Sequence, residues 1–218
     1  MIELQPHSFH TLLPSLRRVP MNTLASPAAL LPLLDELLDI EWPAPNQQPG
    51  GARFQRYTRS NFQFNPARHA LKRNLMSPPE DATLRPLHAA EFALPDIAVS
   101  PHKFWNTADQ FLAHGGGWGI ERDGQLAAMA FSSFQFDRQL EIGVETRAQY
   151  RGRGYALHAA CALIDQCIAL GLEPIWACRK ENTGSYKLAQ ALGFEPTIEI
   201  PYYRLPGAVL ECPELQIR

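Results

Sequence analysis

Residues 139–156 read QLEIGVETRAQYRGRGYA. QLEIGVET, 139–146, is an extended run. GYALHAACALIDQCIALG, 154–171, has helical spacing and closes on Gly171. Between them Gly152 and Gly154 alternate with Arg151 and Arg153. A strand, a glycine loop and a helix start in that order expose unpaired N–H groups and partial positive charge at one mouth, which attracts phosphate. The first glycine permits a positive φ, and the second lets a ligand approach the backbone without meeting a Cβ. Such a loop serves a pyrophosphate cradle or an ordinary tight strand-to-helix turn. The common nucleotide motifs do not fit: Leu157 breaks GxGxxG, and GxxxxGK[ST] is absent.

Downstream, PIWAC (174–178) is a short apolar strand. Asn182 caps a helix in ENTGSYKLAQALGF that ends at Gly193, and EPTIEIPYYRL (195–205) supplies the last strands. Upstream, WGIERDGQLAAMAFSSF (118–134) is strand, Asp-Gly turn, strand. Short helices are expected over 88–94 and over 107–114, the second capped by Thr107 and ended by Gly115 to Gly117. ATLRPL (82–87) is a short strand. The order predicts an α/β (α+β) fold with a mixed sheet, antiparallel first and parallel across the long helix.

Two proline-rich stretches, 42–51 (WPAPNQQPGG) and 77–81 (SPPED), read as linkers. They set off an N-terminal extension, 1–81, of helix plus extended segment, from a main domain, 82–218. Ser26-Pro27 opens a helix whose Leu30, Leu34, Leu37 and Leu38 share a face. That face packs on the main domain or, alternatively, forms a homodimer or partner contact. RFQRYTRSNFQF (53–64) alternates arginines with aromatics, as an edge strand with solvated arginines does; binding of nucleic acid is the lesser reading.

The 218 residues carry a formal net charge of −2 with 45% hydrophobic and 19% charged residues, which describes a globular chain and no general polyanion binder. The start has no basic, apolar leader, and no apolar run approaches the ~18 residues of a membrane span. Cys161, Cys167, Cys178 and Cys212 form no CxxC pair, and the seven histidines form no HxH, HxxxH or HExxH pattern. Unpaired buried thiols, a cytoplasmic setting and no metal are the expectation.

Gln149-x-x-Gly152-x-Gly154 resembles the Q/R-x-x-G-x-G/A motif of the GNAT superfamily of acetyl-CoA-dependent N-acetyltransferases. EIGVET leads into that motif, and Asn182-x-x-Ser185 with Leu188 and Leu192-Gly193-Phe194 resembles the family's N-x-x-[AS]…LGF helix. With FWNTADQFL and PIWAC, the pattern is similar to a bacterial GNAT acetyltransferase subgroup with an N-terminal extension, over about 82–205. The resemblance implies a strand, 139–146, splayed from its parallel neighbour, 174–178. It implies that acetyl-CoA enters the gap. Val144, Glu145 and Thr146 would supply backbone groups, with the N–H of Val144 as oxyanion donor. Gln149, Tyr150, Arg151, Gly152, Arg153, Gly154, Tyr155 and Ala156 would hold the pyrophosphate, and Asn182 and Ser185 the pantetheine or thiol end. The acceptor would be a small-molecule or peptide amine.

Attack of an amine on a thioester needs a base, and Glu141 and Glu145 lie on one strand face, with Glu141 the first choice. Each also reads as a solvated or salt-bridged strand residue. Many family members carry a tyrosine seven residues after the asparagine as general acid; here that position is Ala189, and Tyr186 is the substitute candidate. The alternative is a non-catalytic acyl-CoA sensor that kept the cradle and lost the acid.

Overall fold

The computed structural model describes residues 55–77 and 79–204. The helix at 26–39, the linker at 42–51 and Cys212 lie outside the described residues. Contacts divide the chain into two units: Met1–Thr58 with Pro201–Arg218, and Arg59–Ile200. The core contacts and the cleft described below lie in the second unit.

In chain order the elements are β1 (Gln55–Phe64), α1 (Pro66–Asn74), β2 (Thr83–Pro86), α2 (Ala108–Ala113), β3 (Gly117–Arg122), β4 (Gln125–Phe136), β5 (Gln139–Thr146), α3 (Tyr155–Ala169), β6 (Glu173–Arg179), α4 (Thr183–Ala191) and β7 (Phe194–Arg204). The strands form one mixed sheet in the order β2-β3-β4-β5-β6-β1-β7. β2 through β5 are antiparallel neighbours, β5 and β6 are parallel, and β6 and β1 are antiparallel.

Local chemistry accounts for the joints. Asp123 and Gly124, both at positive φ (52° and 71°), make the two-residue turn between β3 and β4. The Thr107 side chain accepts the Gln110 N–H, which starts α2. The helix expected over 88–94 shrinks to a single 3-10 turn, Ala89–Glu91, because Pro95 disfavours helical backbone at Leu94.

The sheet is covered on both faces. Successive β4 residues alternate: Ala128 and Ala130 join the α3 side with Ala159, Ala160, Leu163 and Ile164, while Met129 and Phe131 join Leu87, Ile97 and Phe111 on the other. Fully burying such aliphatic and aromatic side chains contributes about 1.5–3 kcal/mol each.

Two features depart from expectation. β1 is not an edge strand; it sits between β6 and β7. Its Phe62 is buried and packs in the core, so it offers no stacking platform to a nucleic-acid base. Helix α1 was not foreseen. Asn65 caps it by accepting the Arg68 N–H at 3.1 Å, and Pro66 opens it. α1 covers the back of α3. His69 Nδ1 donates to the Leu192 carbonyl at 2.9 Å, its Nε2 lies 3.3 Å from Asp165, and Arg73 Nε donates to Asp165 at 2.8 Å.

That packing makes a stability prediction. Gly193 has φ +97°, and a Cβ there would lie 2.6 Å from the His69 nitrogen. Gly193→Ala therefore loses about 2–4 kcal/mol in a urea melt, from left-handed strain plus a backbone clash. A loss under about 0.5 kcal/mol, the size of a neutral surface change, would contradict this close approach.

Candidate active site

β5 and β6 pair only at Gln139↔Glu173, Leu140↔Pro174 and Glu141↔Ile175. Beyond Glu141 the two strands separate, while β5 runs on to Thr146 and β6 to Arg179. The Arg147 N–H donates to Ala127 at 3.0 Å. Hydrogen-bond direction alternates along a strand, so Gly143 and Glu145 bond toward β4. Ile142, Val144 and Thr146 turn their N–H and C=O groups toward the gap.

The gap widens into a cleft of about 870 Å³. Its lining takes in Val144, Glu145 and Thr146 from β5, Gly152 and Gly154 from the loop, and Asn182 and Ser185 from α4. Tyr150, Arg151, Tyr155, Ala156 and Glu141 line it as well. Of the residues singled out in the sequence, Gln149, Arg153 and Tyr186 are not among the lining.

The loop is a nest of donors. Gly152 and Gly154 have φ of +77° and +79°, and Gly154 caps α3 in left-handed conformation. No protein atom lies within 4 Å of where a Cβ would stand at either glycine. Neither packing nor a close backbone crossing accounts for them; the space above them is open. Among the described residues, the N–H groups of residues 152–156 meet no acceptor, whereas those of Leu157 and His158 already bond to Gly154. Consecutive free N–H groups at a helix start bind an anion.

Several side chains have structural duties that the sequence concealed. The Tyr155 ring is buried in the core and its hydroxyl lies 3.0 Å from Asp81, so only its backbone N–H faces the loop. The Glu145 carboxylate accepts the N–H of Thr146 at 3.1 Å and lies 3.5 Å from Arg151, while Arg151 Nε donates to the Thr146 carbonyl at 3.2 Å. Glu145 is thereby tied to the end of β5. Asn182 caps α4 by accepting the Ser185 N–H, and Ser185 Oγ accepts the Trp176 indole N–H at 3.2 Å.

Glu141 is placed differently. One carboxylate oxygen accepts from Arg59 at 2.8 Å; the other has no partner among the described residues, and the side chain is 29% exposed at the cleft. Tyr186 stands edge-on to Phe62, ring centroids 5.0 Å apart. Leu188 and Ser185 take the cleft face of α4, and Ala189 is fully buried. Tyr186→Phe should thus retain wild-type kcat across pH 6–10, since only a hydroxyl outside the cleft is removed. A lost basic limb in that profile would restore Tyr186 to the chemistry.

Cys161, Cys167 and Cys178 are free and buried. Burial pushes the Cys161 thiol up to about 11 and the Cys167 thiol up to about 12. Cys178 lines the cleft and is raised by burial too, against a hydrogen bond from Ser185. Protonated thiols are poor nucleophiles, which disfavours a covalent cysteine route. His69, Cys161 and Asp165 lie with ligand atoms within 4.8 Å of one another behind α3, a grouping that sequence spacing could not reveal. There His69 and Asp165 already hold Leu192 and Arg73.

The profile of the GNAT acetyltransferase family matches residues 46–203. The chain belongs to the GNAT acetyltransferase family. A similar protein is the uncharacterized N-acetyltransferase YdfB of Bacillus subtilis, 31% identical over 101 residues that make up 46% of this chain and 39% of YdfB. The aligned segment thus spans well under half of that relative. Among solved structures, the GCN5-related N-acetyltransferase-like protein of Streptococcus suis aligns with TM-score 0.61 and 24% identity, over 80% of this chain and 67% of that one. A putative GNAT-family acetyltransferase of Novosphingobium aromaticivorans aligns with TM-score 0.50 and 23% identity, over 73% and 69%. These likenesses establish the GNAT fold. No helix among the described residues is long and apolar enough to cross a membrane.

Proposed function

We propose that the chain is an N-acetyltransferase that moves an acetyl group from acetyl-CoA to a primary amine by direct attack. One observation carries this reading: β5 parts from β6 above a loop whose N–H groups at 152–156 have no acceptor. A thioester on a pantetheine arm is extended and amide-bearing, and the gap-facing groups of Ile142 and Val144 suit it as an added strand would. The pyrophosphate suits the nest at Gly152–Ala156, and Arg153, which has no side-chain partner among the described residues, adds charge beside it.

Acetyl-CoA would supply the activated acyl group. The chain's own residues would do the rest. The Val144 N–H faces the gap where a carbonyl oxygen gathers negative charge, and a fixed donor there favours the transition state over the ground state. Glu141, with one free carboxylate oxygen at the cleft, accepts the proton the amine must lose. The departing thiolate has a reference pKa of ~8.5, so it leaves without a dedicated acid, which fits the buried Ala189. Three unpaired buried thiols fit a reducing cytoplasm.

The buried Ala189 also keeps a second reading in play, a non-catalytic acyl-CoA sensor. Calorimetry with acetyl-CoA and a thiol-release assay against primary amines separate the two. Saturable binding with turnover supports the enzyme. Binding without turnover of any amine selects the sensor, and no binding removes both.

A further inference from the structure

Three unlike donors converge between α1 and α3. α3 presents Cys161 and Asp165, one helical turn apart and so on one face. α1 brings His69, which lies 96 positions before Asp165 in the chain. Their ligand atoms, His69 Nε2, Cys161 Sγ and an Asp165 carboxylate oxygen, all lie within 4.8 Å of one another. His69 and Cys161 are buried, and Asp165 is half-buried.

The surrounding hydrogen bonds fix what each atom can do. His69 Nδ1 must donate to the Leu192 carbonyl at 2.9 Å, because a carbonyl only accepts. In a neutral ring that leaves Nε2 with a bare lone pair, which faces Asp165 Oδ1. Two acceptors then oppose each other, and a proton or a metal cation has to lie between them. The separation favours the cation. An imidazolium bonded to a carboxylate closes to about 2.7–2.9 Å. Nε2 and Oδ1 stand 3.3 Å apart. Nitrogen and oxygen ligands on one tetrahedral zinc, each about 2.0–2.1 Å from the ion, are roughly 3.3–3.4 Å apart. Cys161 Sγ, within 4.8 Å, takes its own place with a shift of about 1 Å. The outer partners fit as well. The Leu192 bond holds the tautomer that offers Nε2, and Arg73, donating to Oδ2 at 2.8 Å, leaves Oδ1 to turn inward. Outer bonds of this kind orient metal-bound histidines and carboxylates.

We propose that His69, Cys161 and Asp165 form a zinc site that clamps α1 to α3. A mixed nitrogen, sulfur and oxygen set suits zinc, whereas magnesium and calcium take oxygen ligands. On binding, the Cys161 thiol releases its proton to solvent. The thiolate and the carboxylate balance the two charges of the ion, and no electron moves. A cavity of about 140 Å³, lined by Cys161, Asp165 and His158, adjoins the group. It has room for the water that completes four-coordination. None of the three ligands lines the cleft beside β5, so the clamp is structural.

The test titrates chelator-treated protein with zinc chloride alone, by calorimetry against a competing chelator, and melts it with and without zinc. Cys161→Ala and Asp165→Asn are compared with Cys167→Ala, which removes another buried thiol from α3 outside the group. Wild type should bind one zinc per chain and melt higher with it, since an ion held only by the folded chain stabilises it. Cys161→Ala and Asp165→Asn should each lose at least about 100-fold in affinity, beyond the ~10- to 100-fold usual for an outer partner. The rise in melting temperature should go with it, and Cys167→Ala should keep both. Asp165→Asn is nearly isosteric and keeps an oxygen for Arg73, so it reads the site even if Cys161→Ala does not fold. Cobalt(II) in place of zinc should give a thiolate charge-transfer band in the near ultraviolet that Cys161→Ala abolishes. Wild type that binds no zinc overturns the proposal and leaves a proton between His69 and Asp165. Zinc bound equally by wild type and Asp165→Asn overturns it too, as an adventitious ion only. None of these readouts depends on acetyl transfer.

Discussion

Gly152→Ala combined with Gly154→Ala should raise the Kd for acetyl-CoA by about 100-fold, which is ~2.8 kcal/mol at 1.4 kcal/mol per decade. Two effects add. A methyl group at each position enters the open space above the loop, where no protein atom lies within 4 Å and where a phosphate would approach. The positive φ values of +77° and +79° also become strained, by about 1–2 kcal/mol each, so the loop relaxes and its N–H groups cease to converge. Strain alone must be separated from loss of the nest, and the fold contains its own control. Gly124, in the β3–β4 turn, has φ +71° and equally open surroundings, but it lies outside the cleft. Gly124→Ala carries the same backbone strain. It should lower stability as the loop variants do and leave acetyl-CoA affinity at wild type. Calorimetric titration of the three proteins decides the matter. Equal affinities in the double variant and wild type would remove the cradle from this loop.

The loop could be read from sequence because its chemistry is local. Strand, glycines and helix start follow one another in the chain, and the same holds for the Thr107 and Asn182 caps and the Asp123-Gly124 turn. What escaped was long-range or rotational. An alternation of arginine and aromatic residues is the same in an edge strand and an interior one until the partner strands are known, and β1 finds β6 through residues more than a hundred positions away. Arg59 and Glu141 are separated by 82 positions, so no spacing rule links them. α1 did have a signal, Asn65-Pro66 ahead of a last turn with Lys72 and Arg73, but it lay between stretches dominated by proline. On α4 the spacing placed Ser185 and Tyr186 on neighbouring faces without saying which face the cleft would take. The rotation of the helix gives it Ser185 and Leu188 and sends Tyr186 to Phe62. Tyr155 shows the same limit: its place in the motif was plain, but not that its ring is buried in the core.

Glu141→Gln is expected to lower kcat by roughly 10²–10⁴, the usual contribution of a general base, with acetyl-CoA affinity unchanged. The substitution is nearly isosteric. Glutamine keeps a carbonyl oxygen to accept from Arg59, as the carboxylate does at 2.8 Å, so the Arg59 geometry has no cause to collapse. What disappears is the second oxygen, the one with no partner among the described residues, and with it the capacity to take a proton at the cleft. Glu145 is the competing base on the same face of β5, and its position argues against it. Its carboxylate already accepts the Thr146 N–H and faces Arg151, so using it would undo the end of the strand that borders the glycine loop. The two roles give opposite kinetic signatures. Glu145→Gln should disturb acetyl-CoA binding and therefore KM for acetyl-CoA, while Glu141→Gln should act on kcat. A rate-against-pH profile makes the assignment stricter. In wild type the acidic limb reports protonation of the base, and in Glu141→Gln that limb should vanish along with most of the rate. A Glu141→Gln enzyme with full activity at every pH, or one that keeps the acidic limb, would take Glu141 out of the proton transfer and leave it as the anchor of Arg59.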